Sequence, residues 1–221
     1  MKILNVTSLA IPEIKVIRFA RYCDNRGYFS ESFRKSEVFQ SKETSFLHDV
    51  DFVQTIESYS NKYTIRGLHF QWNPYMGKLV RTVHGRMVDL ILDIRKGSPT
   101  LGKLIAYEMA YDPNAEYGEW IWVPPGFAHG NYFTADSSIE YFCSGEYSPG
   151  CEAAISPLSK DIDWSECDPF LMKDFANILD KAIISDKDKR GYTLSQWLDD
   201  ERSENFVYSK SKTKAKVKVG K

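Results

Sequence analysis

The chain has 221 residues, with 29 basic against 30 acidic side chains, 43% apolar residues and 14% aromatic ones. That length fits one domain with a substantial core, and the even charge balance argues against a nucleic-acid surface, which carries a clear basic excess. No stretch reaches the roughly 20 apolar residues of a membrane-spanning helix, and residues 1–10 lack the make-up of a signal peptide, so a cytoplasmic protein without nucleic-acid or membrane partners is expected.

Most of residues 14–143 reads as β, in short β-branched and aromatic runs broken by turn residues. Strands are predicted over 16–19 and 28–33, on either side of the turn Asp24-Asn25-Arg26-Gly27, with a short helix over 35–39. Further strands are predicted over 64–71, 79–83, 87–94, 104–109, 120–123 and 139–143; Lys96-Gly97-Ser98-Pro99 and Pro124-Pro125-Gly126 punctuate them. Many strands at 8–12-residue spacing without βαβ alternation indicate an all-β fold, a double-sheet jelly roll. Helical periodicity appears only later, over 168–182 behind Asp168-Pro169 and over 193–200, giving short C-terminal helices. The expected organisation is a single domain over 1–200 and a flexible Lys/Ser-rich tail over 201–221.

The four cysteines, Cys23, Cys143, Cys151 and Cys167, form no C-x-x-C pair and are expected to be reduced thiols. The histidines, His48, His69, His84 and His129, show neither H-x-H nor H-x-x-x-H spacing. A metal-binding jelly roll gathers several imidazoles and a carboxylate from such spacings; no metal is expected, and the chemistry falls to side chains. His69 lies in Arg66-Gly67-Leu68-His69-Phe70-Gln71, where period-2 alternation puts Arg66 with Leu68 and His69 with Gly67 and Gln71. Lys78 opens the next strand, Tyr141 and Tyr147 flank Phe142 to Glu146, and Pro124 to Gly126 delivers His129 into a following strand. Read singly, each has an ordinary structural explanation: a satisfied strand histidine, a surface lysine, a core tyrosine.

Taken together, these segments resemble the dTDP-4-dehydrorhamnose 3,5-epimerase family. The matching motifs are Asp24-x-Arg26-Gly27-x-Phe29-x-Glu31, Phe52-Val53-Gln54, Arg66 to Gln71, and Gly77-Lys78-Leu79-Val80-Arg81. Val88-Asp89 through Asp93-x-Arg95-x-Gly97-Ser98-Pro99-Thr100, Pro124 to Gly130, and Tyr141 through Tyr147-Ser148-Pro149 continue them in order. The resemblance covers about 14–164, and Ser185-Asp186-Lys187-Asp188 looks like a later family element.

The resemblance implies a cupin-like homodimer with a site inside each barrel, working without a cofactor on a dTDP-linked sugar in rhamnose and surface-polysaccharide synthesis. It also implies roles. His69 would be the general base oriented by Asp188, Lys78 would stabilise the enolate oxygen, and Tyr141 would return a proton from the opposite face. Arg66 and His129 would hold the nucleotide sugar, Tyr147 would stack on the base, and Arg26, Glu31, Gln54, Glu152 and Lys187 would line the pocket. Residues near Arg26 and Glu31 would come from the partner subunit. The scheme is coherent: a C–H beside a ketone becomes acidic when its enolate is stabilised by a held cation, and positioned acid and base groups supply the transfers. The departures are Thr55-Ile56-Glu57, the loop around Glu152 and a helical insertion over 165–182. They keep open a mono-epimerase and a GDP- or CDP-linked substrate. The readings of other classes are a non-catalytic sugar-nucleotide-binding cupin, against which His69, Lys78 and Tyr141 argue, and a metal-dependent cupin oxygenase, against which the histidine spacing argues.

Overall fold

The computed structural model describes residues 1–209; the lysine-rich stretch 210–221, read from sequence as part of a flexible tail, lies outside the described residues. The strands are β1 (Ile3–Ser8), β2 (Lys15–Ala20), β3 (Tyr22–Asp24), β4 (Gly27–Phe29), β5 (Gln54–Ser60), β6 (Ile65–Gln71) and β7 (Lys78–His84). They continue with β8 (Arg86–Asp93), β9 (Leu104–Ala110), β10 (Tyr117–Val123), β11 (Phe127–Phe133), β12 (Ser137–Cys143) and β13 (Glu152–Ala154). One sheet has the order β1-β2-β10-β7-β12-β5 and the other β13-β6-β11-β8-β9, both antiparallel, while β3 and β4 form a separate hairpin. This is the two-sheet jelly roll that strand spacing predicts.

Three apolar layers hold it together. Val80, Ile91, Ile121, Phe127, Phe133 and Ile139 fill the space between the sheets. Ile17, Phe19, Leu79, Trp120 and Trp122 face outward from the larger sheet and are covered by Val38 of α1 (Lys35–Gln40) and by Leu47. Ile65, Leu68, Phe70, Leu90 and Leu92 face outward from the smaller sheet, beneath α2 (Pro169–Ile178) and α4 (Leu194–Asp199). A strand covered on both faces reads as a continuous apolar run, and β8 is buried from Met87 to Asp93.

The C-terminal helices begin where local chemistry starts them. Asp168 accepts the Phe170 amide at 2.7 Å with Pro169 in the first turn. Thr193 and Gln196 form a reciprocal capping box at α4. Between them lies α3 (Asp186–Lys189), capped by the Ser185 hydroxyl, which accepts the Asp188 amide at 3.1 Å.

Several expectations are corrected. The strand expected over 28–33 ends at Phe29, because the β3–β4 hairpin stands off both sheets and has no buried face to sustain alternation. The helix expected to 182 ends at Ile178, with a 3-10 turn over Leu179–Lys181. Strand β1 precedes residue 14; its mostly exposed edge position gives no apolar signature. Residues 201–208 belong to the packed body rather than to a tail. A 3-10 turn over Glu201–Asn205 leads to Phe206, 4% exposed against Trp197 and Phe70, and Val207 pairs with Lys96.

Candidate active site

A bulge in β6 sets the geometry. His129 lies opposite His69, and Asn131 opposite Arg66, so two steps along β11 match three along β6. The extra residue lies at the glycine: Gly67 has a φ of 107°, and a Cβ there would come within 2.5 Å of the Gly130 Cα. Only glycine tolerates that approach and that backbone. The bulge reverses the alternation, correcting the expectation that Arg66 shares a face with Leu68. Leu68 and Phe70 point into the layer beneath the helices, while Arg66 and His69 line one cavity.

That cavity has two lobes, about 560 and 380 Å³, and His69, Lys78 and Tyr141 line both. The first lobe adds Arg66, His129, Lys187 and Asp188, and the second adds Gln54, Tyr147 and Glu152. The dimensions suit a small organic ligand.

Asp188, brought in by α3, places its Oδ1 2.7 Å from His69 Nε2, and its Oδ2 accepts the Gly67 amide at 3.3 Å. Burial pushes this carboxyl upward, but the hydrogen bonds and charge from His69, with the Gly67 amide, outweigh it and hold it below the usual carboxylate range. With Nε2 engaged, the imidazole's other nitrogen is the one free for proton transfer.

Lys78 and Tyr141 come from the facing sheet. Lys78 opens β7 opposite Cys143 of β12, with its ammonium 5.9 Å from the Tyr141 ring centroid. Burial lowers the Lys78 pKa, against the opposing influence of Cys143, Asp89 and Glu152. Burial raises that of Tyr141, with Cys143 adding to it and Arg66 opposing, so the phenol keeps its proton. A histidine on one sheet and a tyrosine on the other can address opposite faces of a ring held between them.

Supporting groups converge from neighbouring strands. His129 Nε2 lies 3.0 Å from Asp89 Oδ1, deep in the barrel; burial disfavours its charged form, and Asp89 counters this. Arg66 donates from Nε to Ser60 Oγ at 2.9 Å and from Nη2 to the Tyr59 carbonyl at 3.0 Å. At the second lobe, Glu152 Oε1 accepts from Lys187 Nζ and from the Tyr147 hydroxyl, both at 2.8 Å. Gln54 Oε1 accepts the Tyr147 amide at 3.1 Å, fixing the loop that presents that half-exposed ring.

Two expected residues lie elsewhere in this chain. Arg26, at the β3–β4 turn, is paired to Asp24 at 2.6 Å with its side chain 85% exposed. Glu31 pairs with Arg34 at 2.6 Å and with the N-terminal amine. Neither lines the cavity. Asp89 and Asn131, by contrast, are drawn into the site without having been singled out as site residues. Their signal is a polar residue inside an apolar run, Asp89 between Val88 and Leu90, in a strand covered on both faces. Among the described residues, no three His, Cys, Asp or Glu side chains gather to hold a metal ion.

A jelly roll with a carboxylate-paired histidine facing a tyrosine and a buried lysine has the layout of a cupin-like acid–base isomerase. The family model for dTDP-4-dehydrorhamnose 3,5-epimerase matches residues 8–196, and the chain belongs to that family. A dTDP-4-dehydrorhamnose 3,5-epimerase of Sinorhizobium fredii is 45% identical over 145 residues, 64% of this chain and 69% of that one. One from Shigella flexneri is 38% identical over 172 residues, 76% and 91% of the two chains. Among solved structures, a dTDP-6-deoxy-D-glucose-3,5-epimerase from Legionella pneumophila, in complex with dTDP-4-keto-L-rhamnose, aligns with a TM-score of 0.75 at 31% identity. That alignment covers 94% of this chain and 99% of that one.

Proposed function

We propose that this chain inverts the two carbons flanking the ketone of dTDP-4-dehydro-6-deoxyglucose, a 3,5-epimerisation in deoxysugar biosynthesis carried by its own side chains. The observation that carries the reading is the His69–Asp188 pair at 2.7 Å, with His69 on the sheet facing Lys78 and Tyr141. His69 removes the proton beside the ketone, and Asp188 fixes its tautomer and supports the imidazolium that forms. The Lys78 ammonium neutralises the developing enolate oxygen where burial makes its charge count. Tyr141 then delivers a proton to the other face, inverting the carbon. His69 gives its proton to water and Tyr141 takes one back from water, and the same cycle then serves the second carbon. Arg66 and His129 hold the sugar nucleotide, Tyr147 stacks on its base, and Gln54, Glu152 and Lys187 line the nucleotide side.

The reading includes a homodimer in the cytoplasm. Arg26 and Glu31 stand away from their own cavity, on and beside a hairpin that exposes Tyr22 (56%) and Phe29 (69%). Docked on a second copy, that hairpin would bring Arg26 and Glu31 to the partner's pocket. The dTDP and 3,5 assignments rest on relatives of that name at 32–45% identity.

NMR in D₂O with dTDP-, GDP- and CDP-linked 4-keto-6-deoxy sugars tests this. Deuterium is expected at both carbons flanking the ketone of the dTDP substrate, and at neither in His69→Ala. Exchange at one carbon alone, or faster turnover of a GDP or CDP sugar, would overturn the substrate assignment.

A further inference from the structure

One group in the first lobe is left unused by the proton-transfer scheme. Asn131 lies on β11, is 4% exposed and lines the cavity, yet its side-chain Oδ1 has no hydrogen-bond partner. Across the ladder it stands opposite Asp89 on one side and Arg66 on the other. Asp89 engages His129 through Oδ1, while its Oδ2 is buried without a partner too. Two buried acceptors on directly opposed residues are each costly.

The chemistry of the two groups allows one mutual solution. A carboxylate only accepts, so the amide can satisfy it only by turning its NH₂ toward Asp89 Oδ2. Its carbonyl oxygen is then an acceptor directed to the cavity. Arg66 does not fill that demand through its paired nitrogens, since Nε and Nη2 serve Ser60 and Tyr59. Ser58 and Thr64 make the surrounding wall polar, and a hydroxyl is the neutral donor that a sugar offers such a wall.

We infer that Asn131 is a specificity-determining residue that accepts a hydrogen bond from a ring hydroxyl of the sugar, with Asp89 holding its amide in that orientation. The inference rests on the epimerase reading above and adds a contact to it. It also explains why a buried amide is kept in a strand whose neighbours Tyr132 and Phe133 are fully buried and apolar.

The test crosses the protein with the ligand. Deuterium incorporation at the carbon flanking the ketone is measured for the parent and Asn131→Leu, with the full dTDP-4-keto sugar and with its 2-deoxy and 3-deoxy forms. Asn131→Leu is expected to lower kcat/KM for the full substrate by roughly 10- to 100-fold. The parent should lose a similar factor with one deoxy form, and the variant should lose nothing further with that same form. Losses that multiply for both deoxy forms would overturn the contact, as would a variant that matches the parent on the full substrate. A parent with no exchange on the full substrate would instead remove the epimerase reading, and this inference with it. Asn131→Ala carries the same cycle if the leucine side chain is not tolerated, so a purely structural role, which could not erase discrimination between hydroxyl and deoxy sugars, is separated from recognition.

Discussion

Replacing Asp188 by asparagine changes the charge of the site while keeping its shape. The carboxylate now accepts twice, from His69 Nε2 at 2.7 Å and from the Gly67 amide at 3.3 Å. An asparagine amide can keep only one of these as an acceptor. If its oxygen stays with Gly67, its NH₂ faces Nε2, which must then accept, and the imidazole proton moves to the nitrogen meant to act as base. If its oxygen stays with His69, its NH₂ opposes the Gly67 N–H. Either arrangement costs about 1–3 kcal/mol. Loss of the charge also withdraws support from the imidazolium that forms when His69 takes the proton. The sum predicts a fall in exchange rate on the order of 10²–10⁴-fold, since about 1.4 kcal/mol is a factor of ten. Solvent deuterium incorporation by NMR gives the rate, and a thermal melt reports whether the fold survives. Adding Asp188→Asn to His69→Ala should change little, because groups acting as a unit are not additive. Exchange within about threefold of the parent, in a folded Asp188→Asn protein, would refute the claim that this carboxylate sets the histidine.

The other predictions address separate parts of the molecule. Tyr141→Phe should keep exchange at the carbon facing His69 but suppress inversion, read as deuterium in unchanged substrate; equal loss or equal retention of both would remove Tyr141 as the acid. Burial holds Lys78 below 10.5, so the folded chain gives up this proton more readily than the unfolded one, and stability gains as pH rises toward 10.5. The melting temperature of Lys78→Met minus that of the parent should therefore shrink with increasing pH, while activity is lost throughout; a widening difference would contradict the buried charge. Phe206→Ala should cost about 3–5 kcal/mol in denaturant unfolding, as expected for a buried phenylalanine, and a loss below about 1 kcal/mol would show that the segment after residue 200 contributes little. Tyr22→Asp with Phe29→Asp should lower the sedimentation coefficient and the activity together, and a fully active variant of unchanged mass would remove the hairpin from the interface.

Much of the barrel was legible because its strands are bounded by residues with a fixed physical role. Asp93 to Thr100 is one such boundary: the Asp93 carboxylate collects Arg95, Ser98 and Thr100 at the end of β8. The opening of α4 was legible in the same way, through Thr193 and Gln196. The site was less so, since residue spacing carries no information about what topology brings together. His69 and Asp188 are 119 residues apart and meet only because α3 lies against β6. The family resemblance pointed to that pair, whereas periodicity could not. Nor could periodicity foresee the packing of Phe206, whose partners Phe70, Tyr75 and Trp197 lie on three different segments. The side of the sheet that Arg66 occupies failed for a different reason: a bulge is a property of a strand pair, and a single strand read alone does not reveal it.

That bulge behaves like a reading frame. Upstream of Gly67 the inward positions of β6 keep one parity, and downstream they keep the other, so Arg66 and His69 share a wall although they are three apart. A substitution alters one side chain of that wall. Inserting a single residue between them, with the bulge kept, would exchange every side chain on one flank of the insertion, turning Arg66 away from the cavity and its apolar neighbour Ile65 toward it, whereas deleting the bulged residue would leave Arg66 and His69 on that wall two positions apart. An added residue in this strand therefore changes the ligand-facing surface more sharply than a substitution does, and redesign of the pocket can proceed by substitution only while nothing is inserted between Arg66 and His69.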